Sequence, residues 1–345
     1  MSERMPGRTP SALPPSTLTA TLFSAVRDVL VQSLRVCREL FVVMVPVVLA
    51  VKLLQELGAV PYLAMPLRPL MALVGLPPEM GLVWAAAMLN TIYSAIIVFL
   101  ALGIGLTQAQ VTVLAVLILV AHNLPVELGI ARRSGARLGF QFCVRFFGAL
   151  VLGLAVNALY SAFGALQGPA TVLYAATPPA AAAAPGLWTW ALGEAWKLLA
   201  IAGIITALMA LMRLLSALGA IILMNRLLRP VLGLIGIGPA AASLTVAGLT
   251  LGVTYGAGLI LHEARSGRVD KRDVFFALTL MGLCHSLIED TLLMALLGAQ
   301  LSGILWARLV FALLATALLV KGAARLSPRL ADRLLWSPLP RTPQH

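Results

Sequence analysis

The sequence LRPLMALVGLPP at residues 67–78 returns as LRPVLGLIGIGP at residues 228–239, an offset of 161 residues. Six positions are identical, and they include the Arg-Pro pair, a glycine and the final proline. Apolar composition alone would match leucines by chance, but it would not align Arg-Pro, Gly and Pro in register. The chain therefore contains two copies of one structural unit.

The repeat continues toward the end of each copy, where its offset drifts by two residues. HNLPVE at 122–127 aligns with HSLIED at 285–290. Ionisable residues within or beside apolar sequence recur at five positions, namely Lys52/Arg213, Arg68/Arg229, His122/His285, Glu127/Asp290 and Arg145/Arg308. A charge in hydrocarbon costs at least ~2.5–3.5 kcal/mol, so each buried one needs a partner or a function.

The composition places both copies in a membrane. Of the 345 residues, 60% are hydrophobic and only 11% are charged, which a soluble globular domain does not tolerate. The net charge of +12 comes from basic residues between apolar stretches, as the positive-inside rule describes, and does not indicate nucleic-acid binding. The three cysteines are widely spaced and indicate neither a disulfide framework nor a thiolate metal cluster.

Apolar runs of span length predict eight membrane-crossing helices. They cover residues 28–54, 80–101, 109–130, 140–163, 188–212, 240–262, 273–297 and 302–320. Two shorter segments, 59–75 and 217–235, are interrupted by proline. Each could cross the membrane, lie at its interface, or enter and leave by one face.

Equivalent loops of the two copies carry opposite charge. The loop ARRSGAR at 131–137 has three arginines, and its partner near 294–300 has none. Conversely, residues 262–273 are basic, and their partner near 101–110 is uncharged. Because basic loops stay in the cytoplasm, the copies are predicted to be inverted across the membrane.

Inversion requires an odd number of crossings in each copy. We therefore expect both ambiguous segments to cross, which gives an all-α polytopic protein of five plus five spans. The alternative is eight spans with two short re-entrant or interfacial segments. The predicted organisation is a disordered N-terminal tail (1–20), a first repeat (21–165), an Ala/Pro linker (166–187), a second repeat (188–320) and a basic C-terminal tail (321–345).

The repeated residues resemble the Gate, or nucleoside-recognition, domain family, which includes spore maturation proteins A and B and fused two-copy bacterial membrane proteins. The resemblance covers about 50–155 and 210–320, and it rests on the Arg-Pro segment, the helix with a polar middle, the HNLP and CHSLIED elements and the arginine helix that follows. It implies a bacterial inner (plasma) membrane protein, and the basic loops predict that both termini face the cytoplasm.

More distantly, this family is grouped with the gates of ferrous-iron transporter B and of concentrative nucleoside transporters, which implies transport through an inverted-repeat core. The sequence contains no GxxxxGK[ST] motif, so the nucleotide-driven part of the iron transporter is missing.

The substrate site is predicted to combine the two histidines and their polar neighbours with the polar middles of the 80–101 and 240–262 helices. Pro125 removes a helical hydrogen bond close to His122 and frees carbonyls, and broken helices hold substrates in inverted-repeat transporters. The predicted set is His122, Asn123, His285, Ser286, Glu289, Asn90, Tyr93, Thr254 and Tyr255. The alternative for each is a hydrogen bond that joins two helices.

One structural ion pair is expected in each copy. Glu127 and Arg145 flank the loop 131–137 at similar depths, and Asp290 and Arg308 flank the GAQLSG turn in the same way. A carboxylate and a guanidinium at one depth can neutralise each other between helices. The residues that remain for function are then the histidines and their polar neighbours.

These features predict a permease for a small polar solute, nucleoside-like or anionic, with the lipid bilayer as its surroundings and a homo-oligomer left open. One alternative is divalent-metal transport through His285, Glu289, Cys284 and His122, although a dense carboxylate or thiol cluster is missing. Another is a non-transport membrane factor similar to the spore maturation proteins. No HExxH or GxSxG motif is present, so neither an enzyme nor a cofactor or resident metal is predicted.

Overall fold

The computed structural model describes residues 15–175, 186–251, 262–263 and 269–336, and this part of the chain is helical apart from turns and isolated β-bridges. The helices of the first copy are α1 (Pro15–Glu56), α2 (Val60–Ala64), α3 (Arg68–Leu73), α4 (Met80–Leu89), α5 (Ile92–Leu102), α6 (Gln108–Val120), α7 (Leu124–Arg133) and α8 (Leu138–Ala162). Those of the second copy are α9 (Leu187–Ala217), α10 (Ala220–Leu234), α11 (Pro239–Leu251), α12 (Lys271–Cys284), α13 (Glu289–Leu296) and α14 (Arg308–Ala324), followed by α15 (Pro328–Leu334).

Five helical segments are long and apolar enough to cross a membrane: 108–133, 138–162, 187–217, 271–296 and 302–324. A sixth passes the same test when α1 is taken together with α2 and α3, from which it is bent by 109°. The protein is therefore an all-α polytopic membrane protein, and the predicted fold class is confirmed.

Two loop faces bound these helices. The linker face comprises residues 103–107, 163–172 and 297–300, where the Gln108 amide donates to the Gly168 carbonyl at 2.9 Å. The arginine face comprises residues 134–137, 269–272 and 325–336. There Lys271 Nζ lies 2.6 Å from Asp332 Oδ1, and hydrogen bonds from Lys271 and Trp336 lower the pKa of the Asp332 carboxyl below its usual range.

Equivalent helices of the two copies run in opposite directions between these faces. The segment α6–α7 runs from the linker face to the arginine face, and α12–α13 runs the other way. The helices α1 and α9 are also antiparallel. Arg213 lies 3.3 Å from Asp28 at one of their ends, and Lys52 Nζ lies 5.6 Å from the Trp190 ring centroid at the other.

The repeated Arg-Pro elements follow the same inversion. Arg68 lines a cleft with Glu79 beside the start of α4 at the linker face. Arg229 lines a cleft with Gly236 beside the start of α11 at the arginine face. The copies are thus related as the loop charges predicted.

Residues 80–101 do not form the single span that their apolar run predicts. They form α4 and α5, of 10 and 11 residues, which pack against each other. At 1.5 Å per residue each arm is about 15 Å long, half the thickness of the hydrocarbon core. Both open ends lie at the linker face, because Gln110 Nε2 donates to the Gly75 carbonyl at 3.2 Å and Gln55 Nε2 to the Ala101 carbonyl at 2.9 Å.

The pair α4–α5 is therefore a re-entrant hairpin whose tip, at Asn90 and Thr91, lies at mid-depth. In the second copy α11 enters from the arginine face, where the Asp273 carboxylate accepts a hydrogen bond from the Gly238 backbone. The rest of the predicted span 240–262, including Thr254 and Tyr255, lies outside the described residues except for 262.

The segments 59–75 and 217–235 were predicted to cross the membrane, but each begins and ends at the same face, as the alternative described. The first begins and ends at the linker face, between the contacts of Gln55 and Gly75. The second begins beside Arg213 and ends before Gly238, both at the arginine face. Among the described residues, each copy has three crossing helices instead of the five predicted spans. The first copy also has the hairpin α4–α5, and the second has α11, which enters from the arginine face. Three is also an odd number, as inversion requires.

Both predicted tails are partly helical. The helix α1 begins at Pro15, inside the stretch 1–20 that was expected to be disordered. In the C-terminal stretch, α15 caps the arginine face, and Trp336 packs edge-on against Phe275 with ring centroids 5.6 Å apart. Residues 1–14, 337–345 and 176–185 of the linker lie outside the described residues.

We expect single cysteines on the two faces to be labelled from opposite sides of the membrane. In a chain whose three native cysteines are replaced by alanine, Arg133→Cys and Arg325→Cys should react with an impermeant maleimide from one side. Gly105→Cys and Gly168→Cys should react from the other. Labelling of all four from one side in oriented vesicles would contradict the inverted arrangement.

Candidate functional site

The two broken helices cross at the middle of the molecule, and both are interrupted there. The first break lies between α6 and α7, and the second between α12 and α13. Asn123 and Ser286, which are equivalent in the repeat, both adopt a positive φ, 49° and 46°. Pro125 follows the first break but Ile288 occupies the equivalent position, so proline does not explain the second one.

Each break leaves backbone carbonyls without helical partners, and a buried arginine of the next helix binds them. Arg145 donates from Nε to the Val120 carbonyl and from Nη2 to the His122 carbonyl, both at 2.9 Å. Arg308 donates in the same way to the carbonyls of Leu283 and His285. The rigid fork of guanidinium donors suits this double contact. Sequence reasoning had assigned these arginines carboxylate partners alone.

The predicted carboxylate contact is present in the first copy only. Arg145 Nη1 lies 2.5 Å from Glu127 Oε2, whereas no ion pair joins Asp290 to Arg308, both of which are described. Asp290 Oδ2 and Arg308 Nη1 are buried without a hydrogen-bond partner among the described residues. Two differences accompany this asymmetry. Aspartate is one methylene shorter than glutamate, and the residues before Arg308 (Ser302–Ala307) form a π-helix.

The two predicted histidines meet at the crossing. His122 Nε2 lies 3.1 Å from His285 Nε2, and both side chains are buried. On the other side of each ring, His122 Nδ1 lies 3.0 Å from the Ile118 carbonyl and His285 Nδ1 lies 2.9 Å from the Met281 carbonyl. A carbonyl can only accept, so each Nδ1 carries a proton and each neutral ring presents an unprotonated Nε2.

Glu127 completes this group. Its Oε1 lies 3.6 Å from His122 Nε2 and 3.5 Å from His285 Nε2, while its Oε2 is held by Arg145. Asp290 Oδ2 lies 3.8 Å from His285 Nε2. The crossing therefore contains two imidazoles and two carboxylates beside two guanidinium groups.

A cavity of about 830 Å³ leads to this crossing from the arginine face. Its outer part lies between α1 and α9, where Gln32 and Arg213 line it. Its inner end is lined by Thr91, Tyr93, His122, Asn123, Glu289 and Asp290. On the opposite side, the loops of the linker face pack on one another, and Tyr174 Oη donates to the Leu293 carbonyl at 3.1 Å.

The cavity thus gathers four of the nine residues predicted for a substrate site: Tyr93, His122, Asn123 and Glu289. His285 and Ser286 are buried, and His285 contacts His122. Asn90 lies at the hairpin tip and donates to Ser94 Oγ at 2.8 Å. Asp290 was predicted to be structural but lines the cavity, and its repeat partner Glu127 contacts both histidines. The sequence signal for a role of Glu127 and Asp290 at the site was their spacing, because each lies five residues after a histidine.

Fold and site together define a polytopic membrane protein with a polar centre between inverted repeats. The chain is 32% identical over 279 residues, which are 79% of this chain and 87% of the relative, to the "Uncharacterized membrane protein YvoD" of Bacillus subtilis (strain 168). The chain belongs to the same family as that membrane protein. No family model and no solved structure matches it.

We expect the two arginines to differ in their contribution to stability. Arg145→Lys leaves carbonyls in the break and Glu127 poorly paired, so the free energy of unfolding should fall by about 3–5 kcal/mol. Arg308→Lys should cost less, because Arg308 has no carboxylate partner at salt-bridge distance. Thermal unfolding in detergent, with exposed Arg132→Lys as the matched control, measures the order. Equal melting temperatures for Arg145→Lys and Arg132→Lys would contradict the stabilising role of Arg145.

Proposed function

We propose that the protein is a transporter that gives a small polar solute alternating access to the central crossing. The observation that carries the proposal is the cavity, which runs from the arginine face to the crossing, where His122 and Asp290 line it. A solute that enters it meets polar groups at mid-depth, where the linker side is closed by packed loops. This is the arrangement expected of one inward- or outward-facing state of a transporter.

The inverted copies supply a route to the opposite state. In inverted-repeat transporters, one repeat or bundle rocks against the other around a fixed central site. Here the copies differ at their charges, since Glu127 contacts Arg145 while Asp290 has no hydrogen-bond partner at Oδ2 among the described residues. Exchange of these two arrangements would close the cavity at the arginine face and open its counterpart at the linker face.

The nature of the solute follows from which groups are still free. The arginines favoured an anionic cargo in the sequence, but Arg145 uses all three of its nitrogens on the protein itself. Among the described residues that line the cavity, the buried polar atom without a partner is Asp290 Oδ2, whereas Arg308, whose Nη1 is also unpartnered, does not line it. These contacts favour a solute that donates hydrogen bonds or carries positive charge over an anion. Membership of the Gate family, inferred from the repeated motifs, is part of the same proposal.

The orientation belongs to the proposal as well. Arg132, Arg133, Arg137, Lys271 and Arg272 all lie at or beside the arginine face. The positive-inside rule assigns such a face to the cytoplasm. We therefore infer that the cavity opens to the cytoplasm of a bacterial plasma membrane, with both termini on that side.

Alternating access predicts that a residue at the inner end of the cavity is reached from both sides. In the cysteine-free background, Thr91→Cys in oriented vesicles should be labelled by an impermeant maleimide from the arginine side and, more slowly, from the linker side. The matched control Gln32→Cys, at the cavity mouth, should be labelled from the arginine side only. If Thr91→Cys is never labelled from the linker side, the chain is a static membrane factor and the proposal fails.

A further inference from the structure

His122, His285 and Glu127 are arranged as the ligands of a single metal ion. The three facing atoms, two Nε2 and one Oε1, form a triangle with sides of 3.1, 3.5 and 3.6 Å. Ligands at ~2.1 Å from a tetrahedral metal ion lie ~3.4 Å apart. We propose that these three residues bind one divalent transition-metal ion at the crossing of the broken helices.

The surroundings of the ligands match those of protein metal sites. Metal-bound histidines donate their second ring N–H to a carbonyl or carboxylate, and the bound carboxylate is itself hydrogen-bonded. Here the carbonyls of Ile118 and Met281 accept from the two Nδ1 atoms, and Arg145 holds Glu127 Oε2. The two Nε2 atoms and Glu127 Oε1 are thereby left facing one another. When both rings are neutral and protonated at Nδ1, the two Nε2 lone pairs face each other across 3.1 Å, and a cation between them, a proton or a metal ion, removes this repulsion.

The ligand atoms select the class of ion. Two imidazole nitrogens and one carboxylate oxygen suit Zn²⁺, Co²⁺, Ni²⁺ and Fe²⁺, whereas Mg²⁺ and Ca²⁺ prefer oxygen ligands alone. The sequence analysis gave metal transport through His285, Glu289, Cys284 and His122 as an alternative, and it predicted no resident metal site. In the structure, Glu127 lies beside both histidines in place of Glu289 and Cys284. From the sequence, Glu127 was expected to pair with Arg145 only.

The local charge accommodates a cation. Glu127, Asp290 and Glu289 lie at the crossing or line the cavity beside it, against the guanidinium groups of Arg145 and Arg308. With all five ionised, three carboxylates and two guanidinium groups give a net charge of −1. A bound divalent ion would change this net charge to +1, so neither state carries a large excess of one sign. Asp290 Oδ2, buried and without a partner among the described residues, stands 3.8 Å from His285 Nε2 and is available as a further ligand.

The route to the site is the cavity already described. His122 and Asp290 both line its inner end, so an ion arriving from the arginine face reaches a ligand and the free carboxylate first. The claim that this ion is the transported solute rests on the proposed function. The claim that the ion binds here does not, because binding needs only the three side chains.

The test is Co²⁺ binding by the full-length protein purified in detergent. The wild type should bind one equivalent and give the visible d–d absorption of a low-symmetry nitrogen and oxygen site. His122→Asn and His285→Asn keep an N–H for the carbonyl of the preceding turn but remove the Nε2 ligand, and they should bind at least about a hundredfold more weakly. Exposed His262→Asn is the matched control and should bind like the wild type. Glu127→Gln and its control Glu79→Gln repeat the comparison for the carboxylate.

Wild-type protein that binds neither Co²⁺ nor Zn²⁺ would overturn the inference, as would histidine variants that bind as tightly as the wild type. If the variants do not fold, X-ray absorption of the wild-type Zn²⁺ complex decides. Two imidazoles and a carboxylate support the site, and a thiolate or an all-oxygen shell contradicts it.

Proteoliposome uptake of Co²⁺ separates this inference from the proposed function. Binding in detergent together with uptake supports both. Binding without uptake supports the metal site and contradicts transport of the ion. Access to Thr91→Cys from both sides, in a protein that binds no Co²⁺ or Zn²⁺, supports a transporter and overturns the metal site.

Discussion

The architecture depends on two arginine side chains that bind the carbonyls of two interrupted helices. In the hydrocarbon core no water can satisfy an open backbone group, so a broken helix survives only where protein supplies the missing partners. Arg145 and Arg308 supply them, each from the helix that follows the break. The same carbonyl contacts offset part of the cost of burying each guanidinium charge in an apolar medium, fully bonded at Arg145 and with Nη1 left over at Arg308 among the described residues.

The breaks make the polar centre possible. Two uninterrupted apolar helices would cross through packed apolar side chains, and their backbone polar groups would all be bonded within each helix. Here α6 ends two residues before His122 and α12 ends one residue before His285, and each ring is held by a carbonyl of its own helix's last turn. Because the copies are inverted, the antiparallel helices present His122 and His285 to each other at the same depth. Glu127 then contacts both rings, and Thr91 of the hairpin tip lines the cavity beside them.

The departures from symmetry concern charge. The Glu127–Arg145 contact has no counterpart between Asp290 and Arg308, whose free atoms remain buried. Unpaired buried groups are costly, and proteins retain them where they serve a ligand or a conformational change. Both proposals attach to this asymmetry. It distinguishes two arrangements that could exchange, and it leaves Asp290 beside the imidazoles where a cation would bind.

The sequence by itself determined the membrane class, the duplication and the inversion, because apolar run length, register and loop charge are local properties of the chain. It also identified the two histidines and the arginines that recur. It could not separate a span from a re-entrant hairpin at 80–101, since an apolar run of that length fits both. Nor could it place Glu127 against both rings rather than against Arg145 alone. Which atoms converge at the crossing is decided only when antiparallel helices pack, because the contacts join residues more than 150 positions apart.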